Sequence, residues 1–416
     1  MNPSELTENF FRHEYGRIVS VLSCRVGVQR IEDVEDAVQS ALMTALESWT
    51  VRGIPENPSA WLYRVALNNL LGDLRQKVGR TKILEEKVAH EQESTAPAPE
   101  AFLEGEMKDD LLRMLFVCCE EGIPVESQLV LALKTLCGFS IREISHRLFT
   151  SEANINKRLQ RARKQLRQLD KDPTDLAYLQ KDNRLPSVQH ILYLLFTEGH
   201  LSTHEESALR MDLCNEAIRL TSILAEHALG RTPDTHALLS LMFLHRARMN
   251  SRSSASGNLL LLEEQNRSDW DQADIQEGMK QLAGSAEGET FSRYHAEAGI
   301  AAEHCMAPSF KDTNWTKIAD SYALLEKVAP SPIHRLNRAV AAAEAHGPTR
   351  GLEILREFDP PAWLTMSYQW TAVLSDLHLR AGNLDEGYRH KETALSKAPS
   401  EAIKKLLERR LSRKPE

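Results

Sequence analysis

Between Ser140 and Arg167 the chain reads SIREISHRLFTSEANINKRLQRARKQLR, with eight Lys or Arg residues against two Glu. The whole chain carries a net charge of −8, so this local excess of positive charge is a departure from its surroundings. Concentrated Lys and Arg on a helix suit phosphate oxygens, which they neutralise with release of counterions. The spacing of Ile141, Ile144 and Leu148 makes one apolar helical face, and Ile155, Leu159, Ala162 and Leu166 make a second. Between them lies a short turn at Phe149–Thr150. Ser151 is placed to cap the second helix, its hydroxyl taking an orphan backbone N–H. Two short helices with such a turn form a helix-turn-helix, whose second helix reads DNA. Residues early in a recognition helix face base edges and later basic ones face phosphates. Glu152, Asn154, Asn156 and Lys157 are therefore base-edge candidates, and Arg158, Arg161 and Arg163 phosphate candidates. An exposed basic helix without a DNA role is the plain alternative for this stretch taken alone.

Other chemistry-bearing residues give no comparable pattern. His190, His200, His204, His227, His236 and His245 are scattered, with no metal or triad spacing to a Cys or Asp. Cys118 and Cys119 are adjacent on an apolar helix, where they chelate one ion poorly and read as buried core. The six cysteines lack CxxC spacing, which suits a reducing compartment. No glycine-rich phosphate loop is present. No catalytic residue, metal site or cofactor is expected.

The elements that must position the basic helix are themselves helical. Hydrophobic content of 42% and charged content of 26% are ordinary for a globular chain, and 416 residues allow two or three domains. No stretch alternates with period two. The N-terminus lacks the pattern of a signal peptide, and the longest apolar runs, Ile191–Phe196 and Leu259–Leu262, are far too short to span a membrane. A cytoplasmic protein without membrane contact is expected. Polar, Pro-containing breaks at His90–Glu100 and Asp170–Asp175 divide the chain into three blocks. Further breaks fall at Arg252–Gly257, Ala307–Asn314 and Asp359–Pro361.

The first block holds DVEDAVQSALMTALESW (Asp33–Trp49), a loop at Val51–Ser59, and AWLYRVALNNLLGDLRQKVGR (Ala60–Arg80). Val34, Val38, Leu42, Ala45, Leu46 and Trp49 follow a 3.6-residue period and are expected in the core. Asp33, Glu35, Asp36 and Gln39 are read as a polar, acidic edge of the same helix. Ahead of a basic helix-turn-helix, these segments resemble region 2 of extracytoplasmic-function RNA polymerase sigma factors. The first does so through Asp33, Glu35, Asp36, Val38, Gln39 and Trp49. The second does so through Trp61, Leu62, Arg64, Ala66, Asn68, Asp73, Arg75 and Gln76. The second block then resembles region 4 of that sigma-70 family. Asp109–Pro124, Leu192–Ser202, Asp269–Leu282 and Ser331–Pro348 resemble a subgroup with a long C-terminal extension of TPR-like repeats. Glu120, Thr197 and His200 depart from it, where His, Asn and Tyr are usual.

The resemblance implies an all-α protein: region 2 at 1–87, a flexible linker at 88–104, region 4 at 105–169 and a TPR-like array at 185–416. It implies that Asp33, Glu35, Asp36 and Gln39 dock on the clamp helices of core RNA polymerase, and that region 4 meets the flap. Promoter DNA is the second implied partner. Asn57 in the stiffened loop and Arg64, Asn68, Arg75, Lys77 and Arg80 on the following helix are the implied region 2 contacts. An unpaired base needs such polar or stacking groups around it.

In the third block Tyr368–Glu401 resembles one TPR unit through Leu374, Ser375, Gly382, Leu384, Gly387, Ala394, Leu395 and Pro399. Gly382 suits the turn, and Pro399 ends the second helix. Gly387 stands where Ala is usual, which weakens a helix interior by about 1 kcal/mol. Tyr322, Leu325 and Pro330 keep the second-helix spacing of an earlier unit, and Gly347 marks another turn. Such arrays offer concave surfaces to a protein partner. The function expected is promoter-directed initiation of transcription, tuned by the extension. A helix-turn-helix regulator with a TPR-like sensor, and a scaffold with a degenerate sigma half, are the two rivals.

Overall fold

A computed structural model describes residues 3–78, 100–148, 150–169, 184–200, 211–252, 254 and 259–412. Among these the secondary structure is helical, with no strand, as the absence of period-two segments required. The chain forms two compact units, Met1–Leu194 and Leu195–Glu416.

The first unit opens with α1 (Pro3–Val26), α2 (Ile31–Arg52) and α3 (Pro58–Val78). Their apolar faces meet in a core of Ile18, Val19, Leu22, Val34, Val38, Ala41, Leu62, Ala66 and Leu70, all at or near zero exposure. Each such side chain contributes roughly 1.5–3 kcal/mol by leaving water. Trp49 and Trp61 pack at the rim of this core, with ring centroids 5.5 Å apart, and Phe11 stacks on Trp49. Leu46 departs from the expectation. It is 52% exposed, because the stripe through Val34, Val38, Ala41 and Ala45 turns it about 100° away from Ala45.

The unit continues with α4 (Glu100–Cys118), α5 (Val125–Thr135), α6 (Ile141–Arg147) and α7 (Glu152–Arg167). The helix α4 takes in 100–104, which composition had placed in the linker; the remainder of that linker lies outside the described residues. Cys118 and Cys119 are fully buried, and burial pushes the thiols well above their usual range. Glu120, one of the departures from the subgroup pattern, forms a buried ion pair with Arg184 at 2.7 Å. Arg184 thereby ties the chain beyond Asp175 to the first unit.

The two helical blocks of this unit are packed on one another, α1 against α4 and α5. Gly16 permits the approach: a Cβ there would lie 2.1 Å from the Leu136 carbonyl oxygen. Gly138 faces the Arg12 backbone from a left-handed conformation (φ +67°), which favours glycine.

The second unit is a helical array. After α8 (Leu185–His200), in which the boundary between units falls, come α9 (Met211–Glu226) and α10 (Pro233–Arg246). Then follow α11 (Gln272–Ser285), α12 (Arg293–Met306), α13 (Trp315–Val328), α14 (Pro332–His346) and α15 (Pro348–Arg356). The array ends with α16 (Ala362–Thr365), α17 (Tyr368–Arg380), α18 (Leu384–Ser396) and α19 (Glu401–Arg410). Helices adjacent in sequence pack together, the pattern of a repeat array. Gly347 and Gly382 take left-handed turns at φ +88° and +81°.

Gly387 has a different role from the simple weakening its helix propensity suggests. A Cβ there would meet the Leu379 side chain at 2.6 Å, and the Gly387 carbonyl accepts a buried hydrogen bond from Ser375 Oγ at 2.9 Å. The missing side chain lets α17 and α18 close on each other.

Candidate nucleic-acid interface

The basic helix is held by two caps. Ser140 and Glu143 form a reciprocal capping box at the start of α6: the Glu143 amide donates to Ser140 Oγ, and the Ser140 amide to Glu143 Oε2. Ser151 caps α7, accepting from the Asn154 amide at 3.2 Å. Phe149, read as the turn position, lies outside the described residues. Ile155, Leu159, Ala162 and Leu166 are buried as their spacing required, and they fix which face of α7 points outward.

On that outward face Glu152, Asn154, Asn156, Lys157 and Arg161 are exposed, and Arg158 is half-buried. Asn154 also donates from its side chain to Thr150 Oγ1 at 3.1 Å. An open groove of about 1030 Å³ runs along the turn, lined by Arg142, His146, Arg147, Ser151 and Glu152 among others. Its mixed donors can take phosphate and sugar oxygens.

Arg163 points elsewhere. It is 18% exposed and bonds Glu32 at 3.0 Å and, more closely, Glu35 of α2. Arg167 reaches the other oxygen of Glu32 at 2.5 Å. Glu35 also accepts from Thr135 Oγ1 at 3.0 Å and is 3% exposed. The acidic edge read from the sequence is thus divided. Asp36 and Gln39 are exposed, Asp33 is half-buried, and Glu35 is covered. The physical reason is tertiary: Glu35 lies at the flank of the inward stripe, and Thr135 of α5 and Arg163 of α7 close over it.

The contact is reinforced around Phe139. Arg12 and Arg147 both lie over its ring, at 4.5 and 4.4 Å, and Arg12 pairs with Glu143 at 3.0 Å. Lys134 sits over Tyr15 at 5.0 Å. Burial, and then the charge of Glu35, raises the Tyr15 hydroxyl well above its usual range. The contacts of Arg12 and of Tyr15 were not legible beforehand, because each joins residues over a hundred positions apart.

On α3 the exposed residues Arg64, Asn68, Gly72 and Arg75 recur at spacings of four, four and three, a single stripe. The Lys77 side chain and all of Arg80 lie outside the described residues. Asn57 is the N-terminal cap of α3, its Oδ1 accepting from the Ala60 amide at 2.9 Å, a role that sequence reading had not given it.

Two residues missed by sequence reasoning stand out. Met43 and Leu46, 59% and 52% exposed, continue the outward stripe of Asp36 and Gln39 along α2. The face is polar at one end and apolar at the other, a composition suited to a protein partner. The signal was available in the phase: 36, 39, 43 and 46 recur at helical spacing.

Comparison with known proteins bears on these elements directly. Residues 10–80 match the model for sigma-70 region 2, and residues 113–166 that for sigma-70 region 4. Residues 184–286 match a family of unknown function, DUF6596. An uncharacterized protein of Rhizobium meliloti (strain 1021) is 31% identical over 328 residues, covering 79% of this chain and 77% of that protein. No solved structure matches the chain. A basic helix-turn-helix on α6 and α7, packed on a helical block that matches region 2, is the framework of a transcription-initiation factor, and the chain belongs to the sigma-70 family, with a C-terminal helical extension.

Proposed function

We propose that this protein is a sigma factor of the extracytoplasmic-function kind, directing core RNA polymerase to a specific set of promoters, with an extension that modulates its activity. The observation that carries the reading is the pairing, in one unit, of two surfaces. One is the outward face of α2 (Asp36, Gln39, Met43, Leu46). The other is the outward basic face of α7 (Lys157, Arg158, Arg161).

In this reading Asp33, Asp36 and Gln39 meet the clamp helices, with Met43 and Leu46 adding apolar area, and region 4 meets the flap. Glu152, Asn154, Asn156 and Lys157 read the minus-thirty-five element, while Arg158 and Arg161 hold phosphates. Arg64, Asn68 and Arg75 contact the minus-ten element, with Lys77 and Arg80 extending that basic run. Asn57 orders the preceding loop by capping α3. Strand opening uses binding energy alone.

Glu35 and Arg163 take part only after the two regions separate. While packed together, each satisfies the other's charge, so engagement of polymerase and promoter must replace that pair with new partners. The TPR-like array supplies a further contact surface for a protein partner. The experiment is co-elution of the full chain with purified core RNA polymerase, followed by binding to promoter-length duplex DNA. A complex retained on size exclusion supports the reading. Absence of any complex at micromolar concentrations contradicts it.

A further inference from the structure

Among its described residues, the array holds a largely buried group of basic side chains with no acidic partner. His245, Arg248 and Arg252 lie at spacings of three and four where α10 runs into the short 3-10 turn Met249–Arg252, so they share one side. Facing them are Trp270, His304 on α12 and His200 at the end of α8. The His200 and His245 rings are 4.3 Å apart, and the Arg248 guanidinium lies 4.9 Å from the centre of the Trp270 ring.

Neighbouring arginines are accounted for by the fold. Arg267 donates to the carbonyls of His304 and Ala307 and to Thr313 Oγ1, at 2.7–2.9 Å. Arg252 donates to the His200 carbonyl at 2.6 Å. Arg248 differs. Its Nε is buried with no hydrogen-bond partner among the described residues, and so are Trp270 Nε1 and His304 Nδ1. Cys305, Arg252, Arg267 and Tyr322 lie around Arg248. Burial above all, with the adjacent arginines, pulls its pKa down to about 10. Burial, and then the charge of Arg248, holds His245 and His304 down at about 3, so both are neutral at pH 7.

A buried guanidinium without an acceptor is costly, and the Trp270 face offsets only part of that cost. Arg248, His245 and His304 each keep some solvent exposure. Arginine's fork of donors matches the oxygens of a phosphate or carboxylate.

We propose that the unpartnered polar groups gathered by α10, α12 and the Trp270 segment bind a small molecule through a phosphate or carboxylate group, with Arg248 as its principal contact. Trp270 Nε1–H and His304 Nδ1 supply further polar contacts, and Arg252 adds positive charge. The site is independent of the sigma reading, and its test does not depend on transcription.

The test is calorimetric titration and thermal denaturation of the full chain in phosphate-free chloride buffer at constant ionic strength. The probes are inorganic phosphate in one arm and malonate in the other. Saturable binding of at least one probe is expected, raising the melting temperature by about 3 °C at tenfold excess over its Kd. The arm that responds names the chemistry. Arg248→Met should abolish the rise while leaving the melting temperature without probe unchanged or higher. Arg248→Lys, which keeps the charge and loses the fork, should retain a smaller rise. Three results would overturn the site: no saturable binding of either probe, a rise that survives Arg248→Met, or a lower melting temperature for probe-free Arg248→Met. The last would make Arg248 a structural cover for Trp270.

Discussion

Arg163 of the recognition helix is bonded to Glu35 of α2, and the two bury each other. A residue expected to grip phosphate and a residue expected to grip polymerase are thus partners in the free chain. Removing one member of a buried pair leaves the other charged and uncompensated, at a cost of about 3–5 kcal/mol. Arg163→Met should therefore lower the melting temperature of the first unit by several degrees. Glu35→Gln, which keeps an acceptor for Thr135 and leaves Arg163 its bond to Glu32, should cost about 1 kcal/mol. Thermal denaturation of both variants decides. Equal melting temperatures for Arg163→Met and the unaltered chain would remove the pair from the stability of the unit.

Arg158 and Arg161 stay outside that pair and face outward. Reversing both to Glu should weaken promoter binding and flatten its dependence on salt. Each lost phosphate contact lowers the slope of log K against log salt by about 0.9, so the double variant should lose roughly 1.8. Fluorescence anisotropy on duplex DNA across a salt series measures it. An unchanged slope with weaker binding would assign the two residues to something other than phosphate.

How much of this was legible in the sequence depends on the range of the interactions. The caps Ser151 and Gly382 and the inward stripe of α7 were readable, because each rests on residues within one or two turns. The family was readable because its motifs lie in two contiguous helices. Leu46 and Glu35 were misplaced, both on α2. They lie eleven residues apart, about 20° on the helical wheel, so periodicity does not separate them: Thr135 and Arg163 close over Glu35 from distant segments, and Leu46 stays 52% exposed. The packing of α1 on α4 and α5 was not readable, since it depends on the absence of a side chain at Gly16 and on pairs joined across more than a hundred residues. Asn57 was noticed for its polarity, while its capping geometry follows from the helix start at Pro58.

Met43 and Leu46 offer a test of the polymerase face with little risk to the fold, because their side chains are already in water. Met43→Asp with Leu46→Asp should leave the melting temperature within about a degree, as surface changes usually stay within about 0.5 kcal/mol. The same double variant should weaken polymerase binding tenfold or more, about 1.4 kcal/mol. Asp36→Lys should do the same through charge. Biolayer interferometry against core polymerase gives the ratio, and wild-type affinity in both would free α2 of that role.

Gly16 controls the closed arrangement. Any Cβ at this position collides with the Leu136 carbonyl, a backbone atom that cannot rotate away. Gly16→Ala should loosen α5 from α1 while the core around Leu22 and Leu62 persists. Hydrogen exchange should then rise across α5 and α6 and remain slow in α2 and α3. Unaltered exchange across α5 and α6 would mean that the two blocks do not depend on this approach.

The most direct measurement is run-off transcription with purified core RNA polymerase on a template carrying the DNA upstream of this gene. The full chain should yield a discrete transcript that core polymerase alone does not make, and the Arg158→Glu, Arg161→Glu variant should abolish it. A folded, full-length chain that leaves core polymerase without promoter-specific transcripts on this template and on a library of upstream regions would contradict the assignment as a promoter-directing sigma factor.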